Sequence, residues 1–315
     1  MRLGLAALLA AFALGARAAE PAEPANFLFL DSDALSMNAT LVERTDIAGV
    51  QIVYSWKSLE TAKDQYDFAQ IETDLAFVEK RGKKLFAQIQ DRFFERSHRN
   101  VPRYLLDERA YAGGLASQKD NPGENLPEGA GWVAMQWKPA VRERYQKLLA
   151  ALAARFDGRL YGINLPETAA DIEQNQNGFG CDAYFAGEQE NIAFARKSFR
   201  TSHVVQYVNF WPCEWQNERK YMSRFFEFAA RNGIGLGGPD IVPNARSHMK
   251  NSYPFFNEYR GRLSLVAMAV QQPTLTYTNP ATKQRFTREE FVAFARDYLG
   301  VNVIFWSVSS PWLAK

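Results

Sequence analysis

From residue 26 onward, two spacings of apolar residues take turns along the chain. Short runs at 26–31, 50–55, 84–90, 160–164, 204–209, 234–238, 263–270 and 301–306 have the length and composition of strands. Between them lie stretches with one apolar helix face. Ile71, Leu75 and Val78 mark it in 68–81, and Tyr145, Leu148, Leu149 and Leu152 mark it in 140–155. The stretches 221–231 and 288–299 repeat the pattern. Strands alternating with helices predict a parallel sheet, and eight such units predict its closure into a (β/α)8 TIM barrel. No helical run of useful length follows 301–306, so the last helix is expected to be short or absent. An open, doubly wound sheet is the alternative.

Period two within the strands sorts inward from outward positions. Gln51, Ser55, Gln88, Gln90, Gly162, Asn164, Gln206, Ala267, Ala269 and Gln271 fall in the inward set, which makes the upper interior polar. Inward glutamines either hydrogen-bond one another or line a pocket for a polar ligand. The stretch 92–138 breaks the rhythm and is rich in Pro and Gly. It follows the third strand, on the face where a barrel carries its chemistry. It reads as a long substrate-binding loop with one or two short helices.

The N-terminus reads as a signal peptide over residues 1–18. Arg2 is followed by an apolar run at 3–14 and by Ala16-Arg17-Ala18, with cleavage expected after Ala18. An uncleaved N-terminal anchor is the alternative. Residues 19–315 then form a single barrel domain, periplasmic or secreted. No later segment is apolar for long enough to span a bilayer, so no stable membrane insertion is expected. At 315 residues and 47% apolar content the chain can fill the core of one such barrel. A net charge of +2 without a basic stripe argues against a nucleic-acid partner. Cys181 and Cys213 fall in the loops expected after the fourth and fifth strands. They either form a disulfide, which an exported protein can keep, or remain two buried thiols.

Carboxylates dominate the candidate chemistry. Glu167 stands just past the fourth strand, in Asn164-Leu165-Pro166-Glu167. Asp31, Asp33, Glu60, Asp91, Glu214 and Asp240 share the expected C-terminal rim. Cleaving a glycosidic bond takes two carboxyls across it, one protonated to assist the leaving group and one ionised. Glu167 is expected as general acid. Glu214, between Trp211 and Trp215, and Asp240, in Gly237-Gly238-Pro239-Asp240, compete as its partner. Each is equally compatible with a loop salt bridge or a helix cap. Trp56, Trp211, Trp215 and Trp306 fall at strand ends, where indole faces can pack on sugar rings. Asp91, Asn164, Asn209, His248 and Gln271 are expected to bind sugar hydroxyls.

Three segments carry a resemblance. They are Trp56-Lys57-Ser58-Leu59-Glu60 with Tyr66-Asp67-Phe68, the Asn164–Glu167 stretch, and Ile304-Phe305-Trp306. Together the chain resembles the large clan of (β/α)8 glycoside hydrolases over residues 26 to 312. The resemblance implies a barrel that hydrolyses glycosides, an acid/base role for Glu167, and Trp306 lying under the sugar in the catalytic subsite. Two features depart from the clan. Two residues separate Asn164 from Glu167, where clan members have the pair adjacent. Gln271 stands where they carry a nucleophilic Glu on the seventh strand, and glutamine cannot serve as that nucleophile.

Other chemistries find little support. Gly233–Gly238 matches a dinucleotide fingerprint in spacing, but a helix precedes it and the glycines form the strand itself. His98, His203 and His248 show no metal-ligand spacing, and neither metal nor cofactor is expected. The leading expectation is an exported hydrolase of an oligo- or polysaccharide. The alternative is a non-catalytic saccharide-binding barrel of a polysaccharide assembly or export system. A transglycosylase, or a lyase on an acidic polysaccharide served by Arg92 and Arg246, is a third.

Overall fold

The computed structural model describes residues 22–31, 34–119, 131–173 and 175–314, so the signal-peptide reading of 1–18 lies outside the described residues. Eight parallel strands close into a barrel: β1 (Ala25–Asp31), β2 (Gly49–Ser55), β3 (Lys84–Gln90), β4 (Gly162–Leu165), β5 (His203–Tyr207), β6 (Gly235–Gly238), β7 (Val266–Val270) and β8 (Val303–Ser307). Each lies beside its neighbours in sequence. β8 returns to β1 with Ala25 opposite Val303 and Phe29 opposite Ser307, which rules out the open sheet.

Around it run α1 (Ala69–Glu79), α2 (Pro139–Phe156), α3 (Cys181–Ser198), α4 (Tyr221–Arg231), α5 (Tyr253–Glu258) and α6 (Arg288–Phe294). Pro139 starts α2, where a missing N–H costs nothing. Thr287 and Glu290 close a capping box on α6. Apolar spacing did not announce α3, because Glu188 and Asn191 lie on its buried face and interrupt the pattern. After β8 the described chain has one 3₁₀ turn, Pro311–Ala314, in keeping with a short last helix.

Period two divides the side chains between two cores. Phe27, Phe86, Val205, Tyr207, Ala267, Ala269, Val303 and Phe305 fill the barrel interior. Leu28, Ile52, Leu85, Ile163, Ile304 and Trp306 face the helices. The lower interior is an aromatic plug. Phe305 lies 5.9 Å from Phe27 and 5.3 Å from Phe86, and Tyr161 lies 5.6 Å from Phe27. Glycines make room for it: a Cβ on Gly162 would sit 2.5 Å from the Phe86 ring, and one on Gly49 2.5 Å from Phe27. In β6 a Cβ on Gly237 would sit 1.8 Å from the Ala267 carbonyl oxygen, so these glycines serve packing. Gln206 corrects the expected phase. Val205 and Tyr207 point inward, and Gln206 points outward, where its Nε2 donates to the Pro166 carbonyl. Both phases of β5 are apolar enough to hide the true one.

The long excursion after β3 is more ordered than a loop. Trp132–Ala134 pairs antiparallel with both Arg92–Phe93 and Leu115–Ser117. A short helix, Arg103–Asp107, and a 3₁₀ turn, Arg109–Tyr111, complete what is described of it; residues 120–130 lie outside the described residues.

Cys181 and Cys213 form a disulfide with their Cα atoms 6.2 Å apart. It joins the first residue of α3 to the loop between β5 and α4. Closing a loop of this size restrains the unfolded chain by about 3–4 kcal/mol. Replacing both cysteines with serine is therefore expected to lower unfolding free energy by that order in urea titrations. The same loss should follow in the unaltered protein when reductant is added.

Candidate active site

Glu167 follows the last residue of β4 by two positions and is fastened at both ends. Its backbone carbonyl accepts from Arg92 Nη1 at 2.7 Å. Its Oε2 accepts from Asn209 Nδ2. That amide has one available orientation, because Asn209 Oδ1 accepts from the backbone N–H groups of Ala169 (3.1 Å) and Phe210 (2.9 Å). Thr168 ties the segment to β5, its N–H donating to the Tyr207 carbonyl at 3.0 Å and its hydroxyl to the Phe210 carbonyl at 2.7 Å. Glu167 keeps some surface at the mouth but is otherwise enclosed by protein. Burial pushes its carboxyl up and the charge of Asp240 pushes it further. The Asn209 bond and the Arg92 charge pull it back, and the carboxyl settles at about 7.

Asp240 sits two positions past β6. Thr274 Oγ1 donates to its Oδ1 at 2.7 Å. Tyr253 holds its backbone, donating to the Asp240 carbonyl at 3.0 Å while accepting from the Val242 N–H at 3.0 Å. Burial raises the Asp240 carboxyl above its ordinary value, against the Thr274 bond and the nearby His248. His248 is itself buried and held below its usual range, so the imidazole is neutral around pH 7. Beneath the two acids lies a polar layer. Gln51 Nε2 donates to Tyr207 Oη at 2.9 Å and to Asn164 Oδ1 at 3.4 Å, and Asn164 Nδ2 donates to the Leu165 carbonyl at 2.7 Å. Phe29, Val53, Gln90, Glu167, Asp240 and Gln271 are each partly accessible, which opens this end of the barrel to solvent.

Other expected site residues turn elsewhere. Glu214 caps α4: Oε2 accepts from the N–H groups of Arg219 (3.1 Å) and Tyr221 (2.8 Å), and Oε1 from that of Met222 (2.9 Å). Of the two candidate partners, it is Asp240 whose charge acts on Glu167. Asp91 is 1% exposed and accepts from Arg92 Nε (2.7 Å) and Gln136 Nε2 (2.8 Å). The same guanidinium binds Glu188 at 2.9 Å and Tyr184 Oη at 2.7 Å, so Asp91 belongs to a buried ion cluster and not to a sugar-binding rim. Glu60 is likewise buried, bonded to Arg144 and to Trp56 Nε1. The side chain of Asp31 and all of Asp33 lie outside the described residues.

Three tryptophans expected to meet ligand are packing residues. Trp56 is fully buried against Tyr145. Trp211 is enclosed by Phe185 and Phe225. Trp306 points toward the helices because Phe305 takes the inward phase of β8; its indole donates to Asn26 at 2.9 Å and stacks edge-on against Trp312. Trp215 differs. It is 48% exposed and lies flat on Phe210, 5.7 Å between centroids and 7° between planes. Phe210 in turn leans over His248 at 5.4 Å. A stepped aromatic surface thus runs from His248, beside Asp240, out to solvent.

Sequence reasoning missed Arg92 as the clamp on the Glu167 backbone, together with Thr274 and Tyr253 around Asp240. Tyr207 was legible as a residue of β5, although the expected phase put Gln206 inward and Tyr207 outward. No comparable signal marked Thr274, which a 3₁₀ turn delivers to the site. Among the described residues, no group of three or more His, Cys, Asp or Glu side chains is placed to hold a metal ion.

No protein-family profile and no curated protein sequence matches the chain. Solved structures share its fold. The chain is similar to the catalytic domain of a β-amylase from Paenibacillus polymyxa, with a TM-score of 0.58 and 10% identity over 90% of this chain and 93% of that one. It is similar to a thermostable mutant of a xylanase from Cellvibrio japonicus, with a TM-score of 0.54 and 11% identity over 92% and 87%. A β-galactosidase from the psychrophilic Marinomonas ef1 gives 0.56 and 8% over 89% of this chain and 53% of that one. At these identities the likeness is one of fold: the barrel is the one on which these glycoside hydrolases are built.

Proposed function

We propose that the protein is a glycoside hydrolase that cleaves an oligo- or polysaccharide by general acid catalysis, with Glu167 as the acid and Asp240 as the second carboxylate. One observation carries this reading. Two carboxyls stand at the open, C-terminal end of the barrel, and the charge on one raises the proton affinity of the other. Over the range in which Asp240 is ionised and Glu167 is not, the pair holds one proton. Glu167 then gives that proton to the glycosidic oxygen as its bond to the anomeric carbon breaks. Ionised Asp240 stabilises the oxocarbenium-like charge, and either attacks that carbon or takes a proton from the attacking water. The fold shared with solved glycoside hydrolases supports a carbohydrate substrate, and the Trp215–Phe210 surface offers stacking for further sugar units. An exported location is part of the proposal, supported by the leader-like residues 1–18 and by a disulfide suited to an oxidising compartment.

The test is release of reducing ends from a panel of glycans by the purified protein, with the anomer of the first product read by proton NMR. Retention assigns Asp240 as nucleophile, and inversion assigns it as base. A second reading has a specific observation behind it. Gln271 directly follows β7, where the resembling clan has a nucleophilic Glu, and Glu214 is taken up by a helix cap. Binding across the panel with no product from any glycan would make the protein a saccharide-binding barrel instead.

A further inference from the structure

We infer that Gln88 and Gln90 form a recognition floor for a neutral, hydroxyl-bearing sugar unit. This deepens the saccharide reading of the Glu167 site and rests on it. On β3 the Phe86 ring belongs to the interior plug, so Gln88 and Gln90 continue on the same inward face toward the mouth. Gln88 pairs in register with Asn164 on one side and Val53 on the other. Gln88 is 8% exposed, and its Oε1 has no hydrogen-bond partner among the described residues; the Gln90 Oε1 is buried and unpartnered in the same way.

Two other inward amides are spoken for. Gln51 is bonded to Tyr207 and Asn164, and Asn164 to the Leu165 carbonyl. The inward glutamines therefore divide: β2 supplies a mutual network, while β3 offers two free amides. A buried acceptor without a donor destabilises the free protein. A sugar hydroxyl both donates and accepts, as a glutamine amide does, so it satisfies the amide whichever way round the group is turned.

Charge narrows the class of sugar. The site holds two acids, Glu167 and Asp240. The guanidinium that reaches the Glu167 backbone, Arg92, is fully buried between Asp91 and Glu188, and burial disfavours the charged form of His248. Arg246, the other cation considered for an acidic substrate, is exposed in the loop after β6. A uronate carboxylate seated on Gln88 would face like charge, whereas hydroxyls would not.

Calorimetric titration of the Glu167→Gln protein with cellohexaose, xylohexaose, mannohexaose and hexagalacturonate tests this without requiring turnover. At least one neutral hexaose should bind, and hexagalacturonate should bind at least about tenfold more weakly. Gln88→Leu and Gln90→Leu should each weaken neutral binding by roughly tenfold, while raising the melting temperature of the unliganded protein, since each removes an orphaned amide. Tighter binding of hexagalacturonate, failure of all three neutral hexaoses, unchanged affinity in both Leu variants, or a melting temperature lowered by Gln88→Leu would each overturn the assignment. Hydrolysis of hexagalacturonate by the unaltered protein would uphold Glu167 as an acid and sink this inference. Amide-dependent binding of a neutral hexaose by a protein that turns nothing over would do the reverse.

Discussion

Replacing Glu167 with Gln is expected to lower turnover by about two to four orders of magnitude and to leave saccharide affinity within a few-fold. The substitution keeps the shape of the side chain, and its carbonyl oxygen can still accept from Asn209 Nδ2. What it removes is the proton. A dinitrophenyl glycoside, whose leaving group departs without protonation, should therefore remain a good substrate of the variant. Equal loss on both substrates would show that Glu167 is not the acid. In the unaltered protein turnover should fall as pH rises through about 7, because the acid is then deprotonated. The acidic limb belongs to Asp240, whose carboxyl is itself raised, so the loss on acidification begins above the usual aspartate range. Both limbs are properties of the pair.

Stability offers a second readout with a defined sign. The folded protein holds the Glu167 proton more tightly than the unfolded chain does. Its contribution is fully present below the ordinary glutamate pKa of about 4.3 and is lost as pH climbs through about 7. Glu167→Gln does not titrate. The variant should thus gain on the unaltered protein between those values and melt higher at pH 8, with little difference at pH 4.

The second large effect is expected from Asp240→Asn. With the ionised partner gone, turnover should again fall by orders of magnitude. Residual activity should show its alkaline limb at lower pH, because the Asp240 charge no longer raises Glu167. Glu214→Gln is the control that separates the two candidates. It weakens the cap on α4, at about 0.5–2 kcal/mol of stability, and should leave kcat within a few-fold. If Glu214→Gln abolished turnover while Asp240→Asn kept it, the partner assignment would reverse.

All eight strands were legible, because apolar runs of strand length stand out even across the long excursion after β3 and beside the helix that apolar spacing did not announce. Direction within a strand was harder to read. In β8, Ile304 and Trp306 alternate with Val303 and Phe305, and both sets are apolar, so period two alone could not tell inside from outside. The tryptophan that resembled a sugar platform fell on the wrong side. Glu167 was legible from its place past β4. Its clamp was not, since Arg92 and Asn209 lie 75 and 42 residues away along the chain. Glu214 looked like a rim acid because the backbone N–H groups it caps leave no mark in the sequence. The polar face of α3 hid for a related reason: Glu188 is buried only because Arg92 meets it there.

The rings of Phe27, Phe86, Phe305 and Tyr161 stop the barrel from being a tube. Whatever enters toward the two acids must back out by the same door. If the protein cleaves glycans as proposed, a fragment lodged deepest would leave only after the outer one. Glycan chains longer than the well is deep would have to enter end first, or else lie across its lip.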